Sequence, residues 1–127
     1  MLFRRKKPRL TLQQQLAARP VRLVEAEVQE REDGGINLVV KLRQTKWSGW
    51  FFRMPEGAKK TFELDEMGRL VWDNCNGKTS VQQIIRRLSR QYNLNLREAQ
   101  VSTIQFLNML TRKGLIGMTL KEPPGGK

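Results

Sequence analysis

Asn76-Gly77-Lys78-Thr79-Ser80 is the stretch of this 127-residue chain whose residue types come nearest to chemistry: glycine, lysine and two hydroxyls in series end a phosphate-binding loop. Such a loop needs a glycine five positions before Gly77, where Trp72 stands, and it follows a strand, whereas the preceding segment has the period of an amphipathic helix. A helix C-cap joined to the next N-cap accounts for the five residues. Asp65, Glu66 and Asp73 are neighbouring carboxylates of the kind that does general acid–base work. Capping and solvent exposure explain them more simply. With no histidine and one cysteine, the chain cannot assemble a histidine-dependent triad or a usual structural zinc site. Cys75 has no internal disulfide partner and sits among apolar residues, as a small buried hydrophobe does. The residues therefore predict no catalytic site, no metal and no cofactor, and a binding role is what remains.

Three helix-length segments would carry any binding surface. The first opens at Leu64-Asp65, with Asp65 as N-cap and Met67, Leu70, Val71 and Cys75 at helical spacing, and closes at Asn74-Cys75-Asn76-Gly77. Thr79 and Gln82 form a capping-box pattern for the second, whose stripe is Val81, Ile84, Ile85, Leu88 and Tyr92 before Asn93 stops it. Asn95 with Glu98 opens the third, which carries Val101, Ile104, Phe106, Leu107 and Leu110 up to Lys113-Gly114. Ahead of them, Gly34-Gly35 is the turn between expected antiparallel strands at 22–29 and 36–43. Residues 50–53 suggest an extra short strand, inside an aromatic cluster of Trp47, Trp50, Phe51 and Phe52 that reads as cover for a sheet face. Residues 60–64 are the last strand. The expected class is α+β: an N-terminal antiparallel sheet of three or four strands, then a winged-helix-like three-helix bundle.

Lys and Arg number 24 against 12 acids, a net charge of +12. Arg4, Arg5, Lys6, Lys7, Arg9 and Arg19 lie within residues 1–20, which hold no acid. A solvated, flexible basic arm is the simpler reading of 1–20, and a weak polyanion contact is the alternative. Residues 21–120 form the expected single domain, and 121–127, with Pro123-Pro124-Gly125-Gly126, a disordered tail. No apolar run approaches the roughly 18 residues of a membrane span, and no signal-peptide core follows the N-terminal charges. A soluble, cytoplasmic protein with no stable membrane insertion is expected.

Two binding modes follow from this layout. The third helix carries Gln100, Ser102, Thr103, Gln105, Asn108 and Arg112, types that reach bases and phosphates, as in a winged-helix DNA-binding domain. A wing, however, is a hairpin after that helix, and here the hairpin comes first. Alternatively, 60–64 is an edge strand whose outward amides and carbonyls pair with an extended peptide while the third helix walls the groove. Lys59, Lys60 and Arg112 would suit an acidic peptide.

The run from Phe62 through Leu64-Asp65-Glu66-Met67-Gly68 to Trp72, then Cys75-Asn76-Gly77-Lys78-Thr79-Ser80-Val81, Ile84-Ile85, Phe106-Leu107, Leu110 and Lys113-Gly114-Leu115-Ile116, resembles the PqqD family in order and spacing. The resemblance covers the C-terminal half strongly and the strand region by layout. It implies a noncatalytic peptide-recognition domain, the RiPP recognition element, that binds the leader of a ribosomally made precursor peptide as an added strand. It also implies a partner enzyme, radical S-adenosylmethionine or another peptide-modifying type. Carried over by position, the groove would be Lys60, Thr61, Phe62, Glu63 and Leu64, with Ile104, Leu107, Asn108, Thr111 and Arg112 as its helical wall. The chain departs from the pattern in Asn76, where the family has Asp, in the basic arm, and in the insertion 44–59. A strand inserted at the groove's edge would leave a repurposed PqqD-like scaffold, which stands beside DNA binding as an alternative.

Overall fold

Apolar alternation, caps and turn residues set the element order. A computed structural model, describing residues 11–41 and 59–120, gives α1 (Leu12–Ala17), β1 (Arg19–Arg22), β2 (Ala26–Glu30), β3 (Ile36–Lys41), β4 (Lys59–Leu64), α2 (Glu66–Asp73), α3 (Val81–Tyr92), α4 (Leu96–Arg112) and β5 (Ile116–Thr119). The α+β class holds. The expected extra strand at 50–53, the Trp47 to Phe52 cluster, the Arg4 to Arg9 charges and the tail 121–127 lie outside the described residues.

The sheet is antiparallel in the order β2-β3-β4. In β3, Ile36, Leu38 and Val40 are buried and alternate with half-exposed or exposed residues, so one face meets the helices and the other meets water. Register carries that alternation across the sheet: Val40 lies between Ala26 and Lys60, Leu38 between Val28 and Phe62, and Ile36 between Glu30 and Leu64. Glu30 reaches from the sheet's inner face to Arg69 of α2, at 3.0 Å.

The helices start and stop for local reasons. Asp65 accepts from the Gly68 amide at 2.8 Å to open α2, and Asn95 with Glu98 forms the expected capping box of α4. The box of α3 is Ser80 with Gln83, one residue later than Thr79 with Gln82. The reason is Asn76, whose Oδ1 already accepts the amides of Lys78 at 2.8 Å and Thr79 at 2.9 Å. That keeps Thr79 inside the turn, where it is buried. Gly77 takes φ 79°, the left-handed geometry that glycine adopts without strain. Asn93 ends α3 in the same region, at φ 54°.

Residues 11–20 depart from the expected flexible arm. Thr11 caps α1 with Gln14, Ala18 and Pro20 are buried, and β1 pairs with β5 from Arg19 opposite Thr119 to Arg22 opposite Ile116. The single strand expected at 22–29 is two strands in two sheets, separated by the bend at 23–25. β1 also meets the α2–α3 turn: Gly77 donates to the Pro20 carbonyl at 2.8 Å and Val81 to Ala18 at 2.9 Å. Among the described residues there are therefore four helices rather than three, and a second sheet of two strands, β1 with β5. One core joins Ile36, Leu38 and Leu64 of the sheet to Val71, Trp72, Ile84, Leu88, Leu107, Leu110 and Ile116. Among the described residues no helix is long and apolar enough to cross a membrane.

Candidate functional site

β4 has β3 on one side and, among the described residues, no strand on the other. Alternate residues of an antiparallel strand turn both N–H and C=O outward, so half of the backbone groups of β4 face away from its partner. Lys60, Phe62 and Leu64 are on the helix-facing side, and Thr61 and Glu63 on the solvent side. Leu64 is buried, Phe62 half-buried, and Lys60, Thr61 and Glu63 exposed. β2 is the other edge of the sheet, and it carries Glu27 and Glu30.

The flank of α4 beside β4 is set by two contacts. Phe106 lies over Gly68 at the start of α2, so closely that a Cβ there would stand 2.9 Å from Phe106 Cε1 and 3.1 Å from Leu64 Cβ. Lys113, one residue past the helix, places its ammonium 5.6 Å from the Phe62 ring centre. At about 100° per residue, Phe106, Met109 and Lys113 form one stripe. Leu107 is core, 2% exposed, and Ile104, Asn108 and Thr111 lie on the helix side away from that stripe. Thr111 turns its hydroxyl back to the Leu107 carbonyl at 2.7 Å. Of the wall expected from sequence, Arg112 alone lines the cavity beside β4. The broad apolar arc of α4 hid which flank faces the strand. A small Gly68 opposite a bulky Phe106 was the usable signal, since a glycine inside a helix often marks a close crossing.

That cavity, about 1130 Å³, lies between the end of the sheet and the C-terminal end of α4. Its lining includes Val40, Phe62 and Leu115, with Lys41, Lys59, Lys60, Arg112 and Lys113 as cations and Glu25 and Glu27 as acids. The expected basic trio Lys59, Lys60 and Arg112 is thus brought together, and Lys41 and Lys113 join it. Lys60 also lies 5.5 Å from the Phe62 ring centre, so two ammonium groups share one aromatic ring. At the other end of the strand the charge reverses through Glu63, Asp65 and Glu66.

Elsewhere the polar groups are structural. Burial pushes the Cys75 thiol up to about 12, and its Sγ donates to the Val71 carbonyl at 3.2 Å, so it is not a nucleophile at neutral pH. Among the described residues no cluster of acids and Cys75 could hold a metal ion. Thr103, one of the six side chains a base-reading helix would present, is fully buried with its hydroxyl unpaired. The segment after α4 supplies β5, which pairs with β1 rather than with a second strand of a wing.

A family model described as coenzyme PQQ synthesis protein D (PqqD) matches residues 51–116, more than half of the chain. The match takes in β4, all of α2, α3 and α4, and the first residue of β5. No curated protein and no solved structure matches.

Proposed function

The chain belongs to the PqqD family, and from that membership together with the side of β4 that has no partner strand among the described residues we propose that it is a noncatalytic adaptor, a RiPP recognition element. It binds the leader of a ribosomally made precursor peptide as a strand added to β4 and presents it to a modifying enzyme, of the radical S-adenosylmethionine or another peptide-modifying type. The flank of β4 that has no partner strand among the described residues, walled by the Phe106–Lys113 stripe, is the observation that carries this reading. Each backbone hydrogen bond of an added strand contributes a net ~1 kcal/mol, so several in a row hold an extended chain without reading its sequence. Side chains at every second position then meet Phe62 and α4, which is where selection operates.

The test is titration of the isotope-labelled full chain with the leader peptide of a precursor gene adjacent to its own gene. The expected result is amide shifts through 59–64 and along the Phe106, Met109 and Lys113 stripe. Shifts confined to residues 1–20 would overturn strand addition and leave only charge attraction by the arm.

A further inference from the structure

The ring of Phe62 has cations on it, and among the described residues neither Glu25 nor Glu27, the acids of the same cavity, forms an ion pair with them. Lys60 and Lys113 lie 5.5 and 5.6 Å from its centre, and Arg112 lines the same cavity. Among the described residues none of the three has an ion-pair partner; the pairs that form involve Arg31 and Arg69. Like charges held around one half-buried ring repel, and a carboxylate arriving between them relieves that repulsion. Lys60 and Phe62 are two apart on β4 and share its helix-facing side. A guest strand paired with β4 places two of its own same-side residues, also two apart, opposite them.

We propose that this groove selects an extended peptide by one side-chain pair: an acidic residue two positions from a large apolar one. The acid seats among Lys60, Lys113 and Arg112, and the apolar side chain seats further along β4 against Phe62 and Phe106. This rests on the strand-addition reading and adds a substrate class to it. Charge also fixes which way round the pair lies. The strand runs from Lys59 and Lys60 to Glu63, Asp65 and Glu66. An acid at the Leu64 end would sit against Leu64 and Phe106 rather than beside Lys60 and Lys113, so the pattern sets register as well as affinity. An antiparallel guest reads apolar-x-acid from its N-terminus, and a parallel one acid-x-apolar.

The experiment titrates the isotope-labelled full chain with four synthetic peptides in one Thr- and Gln-rich host: Leu-Thr-Glu, Glu-Thr-Leu, and each with Gln in place of Glu. The expected result is that one Glu order shifts the amides of 59–64 and binds roughly fivefold more tightly than its Gln counterpart. The doubly substituted Lys60→Gln, Lys113→Gln chain should lose that advantage and bind the Glu and Gln peptides equally. Both lysines are exposed, so the fold is not at stake. A chain with Arg4, Arg5, Lys6, Lys7 and Arg9 replaced by Gln should keep the advantage. Equal affinity for Glu and Gln peptides, with β4 amides shifting, overturns the charge selection and leaves strand addition standing. An advantage that survives the Lys60 and Lys113 substitutions, or disappears with the arm charges, overturns it as well. No shift in β4 with any of the four overturns both.

Discussion

At Gly68 two effects of adding one methyl group oppose each other. A glycine-to-alanine change inside a helix ordinarily gains about 1 kcal/mol from backbone entropy. Here the new carbon would meet Phe106 Cε1 at 2.9 Å and Leu64 Cβ at 3.1 Å, and forcing an overpacked contact costs about 1–3 kcal/mol. The clash wins, so Gly68→Ala should lower the urea midpoint by the equivalent of about 1 kcal/mol with an unchanged slope, and adding Phe106→Leu should restore part of it. Cys75 gives a prediction in pH. Its folded thiol is raised by burial from an ordinary value of 9.0 to about 12. A raised group contributes stability that is complete below the unfolded value and is lost as pH rises through the folded one. Urea midpoints should therefore fall between about pH 9 and about pH 12, more steeply than in Cys75→Ala. The native thiol should also resist alkylation at neutral pH and react readily once the chain is unfolded.

Between elements, Arg22 is the residue with most to lose. Its Nε and Nη2 donate to the Trp72 carbonyl at 3.2 and 2.8 Å, and the guanidinium stacks 4.8 Å from the Trp72 ring centre. That is a cation at the C-terminal end of α2, where carbonyls lack helical partners, supplied from β1. Arg22→Ala should cost about 1–2 kcal/mol by chemical denaturation, and Arg22→Lys should recover part of it, because lysine keeps the charge without the planar fork. Caps and periods made α2, α3, α4 and β4 legible from sequence, since Asp65, Asn93 and Asn95 act through neighbours three or four residues away. β1 was not legible. Arg19-Pro20-Val21-Arg22 shows no alternation, and what makes it a strand lies far along the chain at Ile116 to Thr119 and at Gly77. The site divides in the same way: Lys59, Lys60 and Arg112 were read as cations, but the side of α4 that meets β4 depends on the tertiary contact of Phe106 with Gly68.

For the whole molecule, Arg4, Arg5, Lys6, Lys7 and Arg9 are five of the 24 basic residues behind the net charge of +12. Replacing Arg4, Arg5, Lys6, Lys7 and Arg9 by Gln should reduce affinity for heparin and flatten its salt dependence, while the peptide-induced shifts at β4 persist. Affinity for both ligands lost together would mean that peptide and polyanion share those five residues. The ladder between β1 and β5 acts at this scale too. Arg19 and Thr119 are register partners a hundred positions apart, and the helices close between them. During synthesis the first of these strands is made long before the second exists, so a growing chain holds Pro20 and Val21 without their β5 partners, and the sequence order alone makes completion of this ladder a late event that waits on Ile116 to Thr119.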